Sequence, residues 1–477
     1  MQGSGATSPL VNSIVTIQGI VVGDFQSTDA DTKRNLQGFF VQQKDSTVDA
    51  NPLTSEGIFV FQGSASLPDV NLGDEVVVVG TVTENFGETQ LTTIQSVTVV
   101  SSGNVLPTAA VITLPSSSTT LSQESDVQPD LERYEGMRVA FTQTLTVTEQ
   151  FQLDRFNEIK LVQGPRPFTF TQTTTPSVAG YSSFLQEVGA RTITYDDGLN
   201  LQNQNIGVLD GFGPTYSTTN AVRMGDTITG LTGVLSYQWA GNSASLATWR
   251  VRSVQDGSNT FVKANERMPT PPPVGGTLKF VSTNVLNFFT TLDASGATTL
   301  TGLAPRGANS QAELDRQTSK LVTSILSLNA DVLGLVEIQN DFREGQAGNA
   351  VAYLVENLNT AVGSPRYNWV RPGLASVGGD AISNAFIYNQ QTVKLEGNAR
   401  ILDSALFVNG GDTSPRNRPA VAQSFSAISN TCDVRSTCIT LAVNHFKSKG
   451  SACDSPAILD GSGNCKALSV HLPANTI

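Results

Sequence analysis

The chain has 477 residues, of which 39% are hydrophobic and 15% charged, and its formal net charge is -12. This length predicts roughly two to four domains, and the abundance of Thr, Ser, Gly and Val argues against a disordered protein. The acidic balance argues against a general electrostatic attraction to nucleic acid, and the lack of a run of about 18 apolar residues argues against a membrane span. A polyanionic substrate still fits if positive charge is local or supplied by a divalent metal.

Residues 1–101 carry five short apolar segments. Each is rich in β-branched or aromatic residues and is bounded by Gly, Asp, Asn or Pro, which predicts a strand. The segments are SIVTIQGIVVGDF, LQGFFVQQ, GIFVF, GDEVVVVGTVTE and TQLTTIQSVTVV. Five antiparallel strands in about a hundred residues predict a Greek-key barrel of the OB type, with a β-sandwich as the alternative. The Thr-, Ser- and Pro-rich stretch from Pro107 to Pro129 is interpreted as a connector.

Residues 130–264 are interpreted as a second OB-like β module that loosely repeats the first. NLGDEVVVVGTV (71–82) has a counterpart in RMGDTITGLTGV (223–234). VTIQGIVVGDF (15–25) has a weaker one in YEGMRVAFTQT (134–144). Since Gly-Asp turns between strands are common, chance likeness stays the alternative to duplication.

Two further segments are interpreted as an insertion and a linker. The stretch between Thr171 and Asn220 is rich in Gly, Ser and Thr, and we expect an insertion there that separates the halves of the second module. Residues 265–276, NERMPTPPPVGG, contain prolines that cannot join a sheet interior, and three in a row favour an extended linker. This linker is the clearest domain boundary in the sequence.

Residues 277–477 follow a different pattern, in which apolar strands alternate with amphipathic helices. SQAELDRQTSKLVTSILSLNA (310–330) predicts a helix with a capping box from Ser310 to Glu313, and NAVAYLVENLNTA (349–361) predicts a second helix. The predicted strands are LKFVSTNVLNFF, DVLGLVEIQND, DAISNAFIYN and CITLAVNHFK. The predicted fold class is therefore α+β, with two all-β modules followed by a layered α/β domain.

The four cysteines lie near the end of the chain, at Cys432, Cys438, Cys453 and Cys465. Their spacing contains no C-x-x-C pair, which argues against a zinc site. We expect two disulfides, and proximity favours Cys432–Cys438 and Cys453–Cys465 among the possible pairings. Disulfides point to an extracellular, periplasmic or cell-surface location. Because MQGSGATSPL has neither a basic nor an apolar leader region, we expect a signal peptide upstream of the given sequence.

Polar residues close three of the predicted apolar strands. Asn284 lies near the end of the first, Glu337 follows VLGLV, and His445 follows CITLAVN. A carboxylate at the end of a buried strand is costly unless it is paired or binds a metal. Taken singly, each has an ordinary interpretation, because strand-end Asn residues form turns and lone Glu or His residues are commonly solvated or structural. Their conjunction predicts one converging site.

The motifs of this last block occur in the order STNVLNFF, DVLGLVEIQND, GGDAISNAFIYN, RNRPAVAQSF and NHFKSKGSACD. As a set they resemble the endonuclease/exonuclease/phosphatase superfamily, and within it the secreted ExeM/NucH-type endonucleases, which are similar to deoxyribonuclease I. The first block, with QGSG, SPL and VVGDFQ, resembles the OB-fold-like domain that precedes the nuclease in that branch. The resemblance implies a deoxyribonuclease I-like α/β sandwich in residues 277–477.

The resemblance also implies roles for the predicted site residues. Asn284 would position the scissile phosphate, and Glu337 would hold a divalent cation. His445 would bond the phosphate as an electrophile or take part in proton transfer. The implied cation is Mg²⁺, with Ca²⁺ and Mn²⁺ as alternatives.

The remaining site residues are expected to contact the substrate. Asp380 and Arg418 would lie beside the site, with Arg418 as a phosphate clamp. Asn444 directly precedes His445, and Lys447 and Lys449 follow closely. These lysines would supply local positive charge in an otherwise acidic chain.

The sequence departs from the family pattern after Cys465. The family has a later Gly-Asp-x-Asn motif, which activates water, and a terminal Asp-His pair, and neither occurs in this sequence. We therefore expect residues 277–477 to be incomplete at the C-terminus and nearly inactive, because the members of a catalytic unit do not substitute for one another. We also expect poor solubility, because missing strands would expose apolar faces around 332–336 and 441–443.

The predicted function is metal-dependent hydrolysis of DNA, with RNA as a further substrate, by an extracellular endonuclease. One alternative is a small-molecule phosphoesterase of the same superfamily, such as a nucleotidase or a sphingomyelinase-like enzyme. The other is a non-catalytic surface-binding protein. The OB-like modules are expected to bind single-stranded nucleic acid by stacking bases on aromatic rings. The candidate rings are Phe39, Phe40, Phe59 and Phe61, of which about half must be core.

Overall fold

The structure is a computed structural model that describes residues 2–26, 33–204, 217, 220–410, 413–430 and 438–446. It divides into two compact units, Met1–Arg267 and Met268–Ile477. In the described ranges the protein is rich in β-strands and has few helices. None of the helices within those ranges has both the length and the apolarity that crossing a membrane requires.

The first part of unit 1 is a closed barrel of five strands. Its strands and one short flanking strand are β1 Ile14–Phe25, β2 Arg34–Asn35, β3 Gly38–Gln42, β4 Gly57–Phe61, β5 Glu75–Asn85 and β6 Glu88–Ser101. The order around the barrel is β1-β3-β4-β6-β5, and β4 with β6 is the parallel pair. Alternate residues of β5 point inward, so Val76, Val78 and Val82 are fully buried. The predicted closed barrel is confirmed, and the alternative sandwich is not formed.

The second part of unit 1 contains another ring of strands. The strands are β7 Ala110–Val111, β8 Thr119–Leu121, β9 Val127–Pro129, β10 Arg138–Glu149, β11 Ile159–Gln163, β12 Thr192–Asp196, β13 Gly198–Leu199, β14 Thr227–Gln238 and β15 Thr248–Arg252. The helices are α1 Leu153–Phe156, α2 Phe170–Thr173 and α3 Val178–Ala190, with short 3-10 turns at Glu132–Tyr134 and Ser243–Ser245. The sheet order is β11-β12-β15-β14-β10-β7, and β11 also pairs with β10. Five of these strands therefore close a ring in which β12 and β15 are the parallel pair.

The two rings share strand order and a Gly-Asp turn. Asp74 O accepts the N–H of Val21 at 2.8 Å, and Asp226 O accepts the N–H of Val147 at 2.8 Å. Each carboxylate also accepts the backbone N–H three residues earlier, at 2.9 and 2.8 Å, and each preceding glycine has a positive φ, +88° and +95°. These matching bonds show that the predicted counterparts 71–82 and 223–234 form the same turn. In these bonds Val21 corresponds to Val147, so the predicted correspondence of residues 15–25 with 134–144 is out of register. Short alternating strands resemble one another in many registers, which makes such an error easy.

The interpretation of the stretch between Thr171 and Asn220 as an insertion is wrong in part. The stretch contains β12, which pairs with both β11 and β15 and so belongs to the ring. Ile193 and Tyr195 of β12 are buried in the core of the second ring. The short segment TITYD carries only two core side chains, so its Gly-, Ser- and Thr-rich surroundings concealed it.

Part of the outer face of the first barrel is covered within unit 1. Phe40 and Phe59 are 1% and 3% exposed, and they pack with Val234 of β14 in a cluster separate from the barrel core. Phe39 is buried inside the barrel, and Phe61 is partly buried against the same cluster as Phe59. The expectation that these rings stack nucleic-acid bases is therefore wrong for Phe39, Phe40 and Phe59.

Unit 2 contains two sheets and three helices in its described ranges. Its strands are β16 Phe280–Phe288, β17 Val332–Gln339, β18 Tyr367–Trp369, β19 Ile382–Asn389, β20 Val393–Leu402, β21 Ala420–Ala427 and β22 Cys438–Val443. Its helices are α4 Gln311–Leu328, α5 Ala350–Val362 and α6 Ala405–Asn409, with a 3-10 turn at Asp293–Ser295. One sheet has the order β16-β17-β19-β18 and the other β20-β21-β22. Both sheets share one hydrophobic core with α4 and α5.

Close packing between the two sheets depends on a glycine. A Cβ on Gly334 of β17 would lie 2.6 Å from a methyl group of Val443 on β22. Phe386 and Phe425 also meet edge to face across the sheets, with ring centroids 5.7 Å apart. The end of β22 is thereby placed beside β17.

The predicted helix cap at α4 forms, with one difference. Ser310 Oγ accepts the N–H of Glu313 at 3.3 Å, as expected. The Glu313 carboxylate accepts the N–H of Asn309 at 2.7 Å instead of that of Ser310. The helix prediction for residues 310–330 is confirmed by α4, and the prediction for 349–361 is confirmed by α5.

The structure describes one of the four cysteines in the predicted disulfides. Cys438, the first residue of β22, is disulfide-bonded. Cys432, Cys453 and Cys465 lie outside the described residues. The proposed pairing therefore stays a prediction.

Candidate functional site

Glu337 forms a β-bulge in β17. Val336 lies opposite Asn384 of β19, and Ile338 lies opposite Ser383, so Glu337 is the extra residue between two consecutive pairs. Its φ is +68°, in the left-handed region, which costs a residue other than glycine roughly 1 kcal/mol. Bulges and strained backbone of this kind re-aim side chains and concentrate at functional sites. The strained backbone at Glu337 therefore marks a candidate functional position.

The Glu337 carboxylate lies beside His445. Oε1 is 3.6 Å from Nε2 of the imidazole, and Oε2 accepts the N–H of Asn287 at 3.2 Å. His445 Nδ1 is buried and has no hydrogen-bond partner among the described residues. Burial, followed by the positive charge of Arg418, lowers the pKa of His445, although Glu337 and Asp380 oppose the shift. The imidazole is therefore neutral at neutral pH.

Asp380 bridges two arginines close to this pair. Its Oδ1 accepts a hydrogen bond from Arg306 Nη2 at 2.9 Å, and its Oδ2 accepts from Arg418 Nε and Nη2 at 2.9 and 2.8 Å. Burial acts to raise the pKa of Asp380, but the charges of Arg418 and Arg306 outweigh it and lower the pKa. The N–H of Arg418 donates to the carbonyl of His445 at 3.1 Å. This bond joins the arginine cluster to the pair of His445 and Glu337.

Amide side chains at the ends of β17 and β19 hold the loops that carry these residues. Gln339 Oε1 accepts two backbone N–H groups of the loop after β16, at 2.9 and 3.0 Å. Asn340 is fully buried and donates to three carbonyls of the loop that ends at Asp380, at 3.1, 3.2 and 2.9 Å. Asn384 donates to the carbonyl of Pro419 at 2.8 Å. Sequence reasoning missed these roles, although the run EIQND places two of the amides directly after the predicted metal ligand.

The other predicted site residues lie at the same edge with their side chains engaged locally. Asn284 is exposed, and its Oδ1 accepts the N–H two residues further on at 2.7 Å, which is the turn-forming role of Asn. It lies opposite Val336, the residue before Glu337. Asn444 is exposed and donates to the carbonyl two residues earlier at 3.3 Å. Lys447 lies outside the described residues.

Arg306 is a site residue that sequence reasoning missed. It lies in the loop between β16 and α4 and is followed by Gly307. A Cβ on Gly307 would lie 2.9 Å from the carbonyl oxygen of Asn287 and 2.8 Å from Cβ of Phe289. The loop therefore packs closely against the segment that bonds Glu337. Nothing in the spacing of the sequence indicates this long-range contact.

Glu337 fits the role of a single carboxylate ligand for a magnesium ion. Within the described ranges, no group of three or more His, Cys, Asp and Glu side chains is arranged to hold a metal. Mg²⁺ is commonly bound by one or two carboxylates and keeps several waters or substrate phosphate oxygens. The Oε2 of Glu337 is held by a backbone N–H, so Oε1 is the oxygen presented to the site.

Comparison with known proteins adds no identification. No protein-family model matches the chain, and no curated protein matches it. The geometry of the site and the motifs of the sequence are therefore the grounds for assigning a function.

Proposed function

We propose that unit 2 carries the metal- and phosphate-binding part of an endonuclease site and binds DNA with a divalent metal ion, as the endonucleases that its motifs resemble do. The observation that carries the proposal is the meeting of Glu337, His445, Asp380 and Arg418 from four separate segments of the chain. A carboxylate for a cation, a neutral imidazole and a held guanidinium are groups that phosphoryl chemistry uses.

Each group has a defined contribution. Glu337 would hold Mg²⁺, which when bound polarises a phosphoryl oxygen and neutralises charge on it. His445, neutral and with a side chain that is 18% exposed, can donate a ring N–H to a phosphate oxygen. Arg418 is oriented by Asp380 and would bind the phosphate as a clamp. Asn284 would position the scissile phosphate, a role that rests on the family resemblance.

The folds of both units support the same proposal. Both rings of unit 1 have the strand order expected of an OB-fold barrel, and unit 2 combines two packed sheets with helices as a deoxyribonuclease I-like sandwich does. The disulfide-bonded Cys438 supports an extracellular or periplasmic location. Since Phe40 and Phe59 are covered, we propose that DNA contacts unit 2 rather than the aromatic face of the first barrel.

The direct test is Mg²⁺-dependent DNA binding by the 477-residue protein. Fluorescence anisotropy of a labelled oligonucleotide should show tighter binding in Mg²⁺ than in EDTA. Glu337→Ala should remove the Mg²⁺ dependence, while Glu344→Ala, at a carboxylate that is 65% exposed, should retain it. Binding that is equal in Mg²⁺ and EDTA for the wild type would contradict the proposal.

Plasmid nicking separates binding from turnover. Since the sequence lacks the Gly-Asp-x-Asn and Asp-His motifs, we expect residues 1–477 to nick DNA at a rate near background. Metal-dependent nicking that Glu337→Ala abolishes would support the nuclease and show that this chemistry does without the two motifs. Hydrolysis of mononucleotides without action on plasmid would favour the small-molecule phosphoesterase. Metal-independent DNA binding would favour a non-catalytic binding protein.

A further inference from the structure

The cluster around Asp380 carries a surplus of positive charge. Arg306 and Arg418 bond opposite oxygens of the single carboxylate, so the three side chains have a net charge of about +1 in a chain whose net charge is -12. Arg306 donates one N–H to Asp380, and its side chain is 45% exposed. A guanidinium has five N–H donors in a planar fork. Arg306 therefore presents donors to solvent beside the site.

The position of Arg306 is held from two sides. Its guanidinium is fastened by Asp380, and its loop is fastened where Gly307 packs against Asn287 and Phe289. The carbonyl of Ala308 also accepts the N–H of Asp293 at 2.9 Å. A guanidinium held in place loses less conformational entropy on binding an anion than a freely rotating side chain. Arg306 is thus placed as a binding group.

We infer that Arg306 binds a second phosphate, next to the one held near Arg418 and His445. The N–H of Arg418 bonds the carbonyl of His445, so Arg418 lies on the histidine side of Asp380, whereas Arg306 bonds the other carboxylate oxygen. Two cations on either side of one carboxylate suit two linked anionic groups better than a single phosphate. This inference rests on the proposed function and assigns a nucleic-acid strand, rather than a small phosphate monoester, as the substrate class.

The first measurement is the salt dependence of binding to a single-stranded oligothymidylate, at a fixed low Mg²⁺ concentration. Removing one phosphate contact lowers the slope of log affinity against log salt by about 0.7 for a single strand. Arg306→Gln should lower the slope by about this amount and weaken binding by about tenfold at low salt. Arg306→Lys should keep the slope because it keeps the charge. Arg371→Gln is the matched control, since Arg371 is also 45% exposed and paired with one carboxylate.

The second measurement distinguishes phosphate binding from an indirect effect on Asp380. Thymidine 3′,5′-bisphosphate and thymidine 5′-monophosphate are used as competitors of the labelled oligonucleotide. Arg306→Gln should weaken competition by the bisphosphate several-fold and leave the monophosphate unchanged, whereas a displaced Asp380 would weaken both. An unchanged salt slope for Arg306→Gln, or equal weakening of both competitors, overturns the inference while the wild type's Mg²⁺-dependent binding still supports the proposed function. Absence of DNA binding by the wild type overturns both.

Discussion

Each unit contains a cluster of arginines and carboxylates, and the two clusters differ in how completely they are closed. In unit 1, Arg250 and Arg252 of β15 are 0% exposed. Arg250 bonds the carboxylates of Glu158 and Asp196 as well as two backbone carbonyls. Arg252 bonds the carbonyl of Asp197 at 2.8 Å and is 3.4 Å from Asp196. These groups satisfy one another inside the protein.

The cluster in unit 2 is open to solvent. Arg306 is 45% exposed and Arg418 22%, against 28% for the Asp380 side chain that joins them. The side chains of His445 and Glu337 are 18% and 19% exposed. Side chains of this kind retain hydrogen-bonding capacity for a ligand. The Arg250 cluster is thus buried with its bonds satisfied inside the protein, whereas the Asp380 cluster is partly exposed and Arg306 keeps donors for the ligand proposed above.

The largest expected effect is the loss of Arg250. Arg250→Met should destabilise unit 1 by about 3–5 kcal/mol, because it leaves Glu158 and Asp196 buried without their cation. Arg418→Met should cost less than about 1 kcal/mol, because Asp380 keeps Arg306 and reaches solvent. Urea unfolding of the 477-residue protein followed by tryptophan fluorescence measures both, and equal costs would contradict the comparison.

Loss of a loop anchor should have an intermediate effect. Asn340→Ala removes three donated hydrogen bonds and one accepted one from a fully buried side chain. We expect about 2–3 kcal/mol of destabilisation, since the loop carbonyls would be left unbonded. DNA affinity should also fall, because the loop carries Asp380. Asn444→Ala is the control, with an exposed side chain and one weak bond; if both variants unfold at the same temperature, Asn340 is not an anchor.

Alkaline pH should weaken unit 1 through buried carboxyl groups between its two rings. Burial raises the pKa of Glu88 to about 8, despite a hydrogen bond from Gln238 and the charge of Arg252, and burial followed by the charge of Glu88 raises the pKa of Glu135. An acid with a raised folded-state pKa binds more protons when folded. Its stabilisation is therefore full below its ordinary pKa of 4.5, declines as pH rises from there, and is lost above about 8.

Glu88→Gln tests this expectation, because its amide side chain stays neutral at every pH. At pH 9 its Tm should exceed that of the wild type by a few degrees, and at pH 5 the two should be close. Glu266→Gln, at an exposed residue of the linker, should change neither value. Equal alkaline losses for the wild type and Glu88→Gln would show that this carboxyl group does not titrate with unfolding.

The smallest expected effect concerns backbone strain at the bulge. Glu337→Gly should be more stable than Glu337→Ala by about 1 kcal/mol, because glycine adopts the left-handed region without a Cβ penalty. Both variants should lose Mg²⁺-dependent DNA binding in the anisotropy assay. Chemical denaturation of the two variants measures this strain. A Glu337→Ala variant more stable than Glu337→Gly would show that the backbone at residue 337 is not strained.

Local sequence patterns were sufficient for the five strands of the first barrel and for the helices α4 and α5 of unit 2. GIFVF predicts a strand whose observed bounds are the same, Gly57–Phe61, and the apolar stripe of 310–330 predicts α4. These patterns succeed because side-chain periods of 2 and 3.6 depend only on neighbouring residues. β12 was missed because two core side chains in five residues give too short a periodic signal.

The residues of the candidate site likewise differ in whether the sequence alone predicts them. Glu337 and His445 stand out in the sequence because each is a polar group closing an apolar strand, and they lie 3.6 Å apart. Arg306 and Asn340 carry no such local signal, since their partners at Asp380 and its loop are far away along the chain.

The sequence by itself determined the strands of the first barrel, the helices α4 and α5, and the polar groups that close apolar strands of unit 2. The tertiary structure alone decided which outer faces are covered, as for Phe40 and Phe59, and which charges meet a partner. The physical reason is that alternation along a strand specifies its two faces but not what packs on each. Both the burial of those rings and the bridging of two arginines by Asp380 depend on contacts between segments that are distant in the chain.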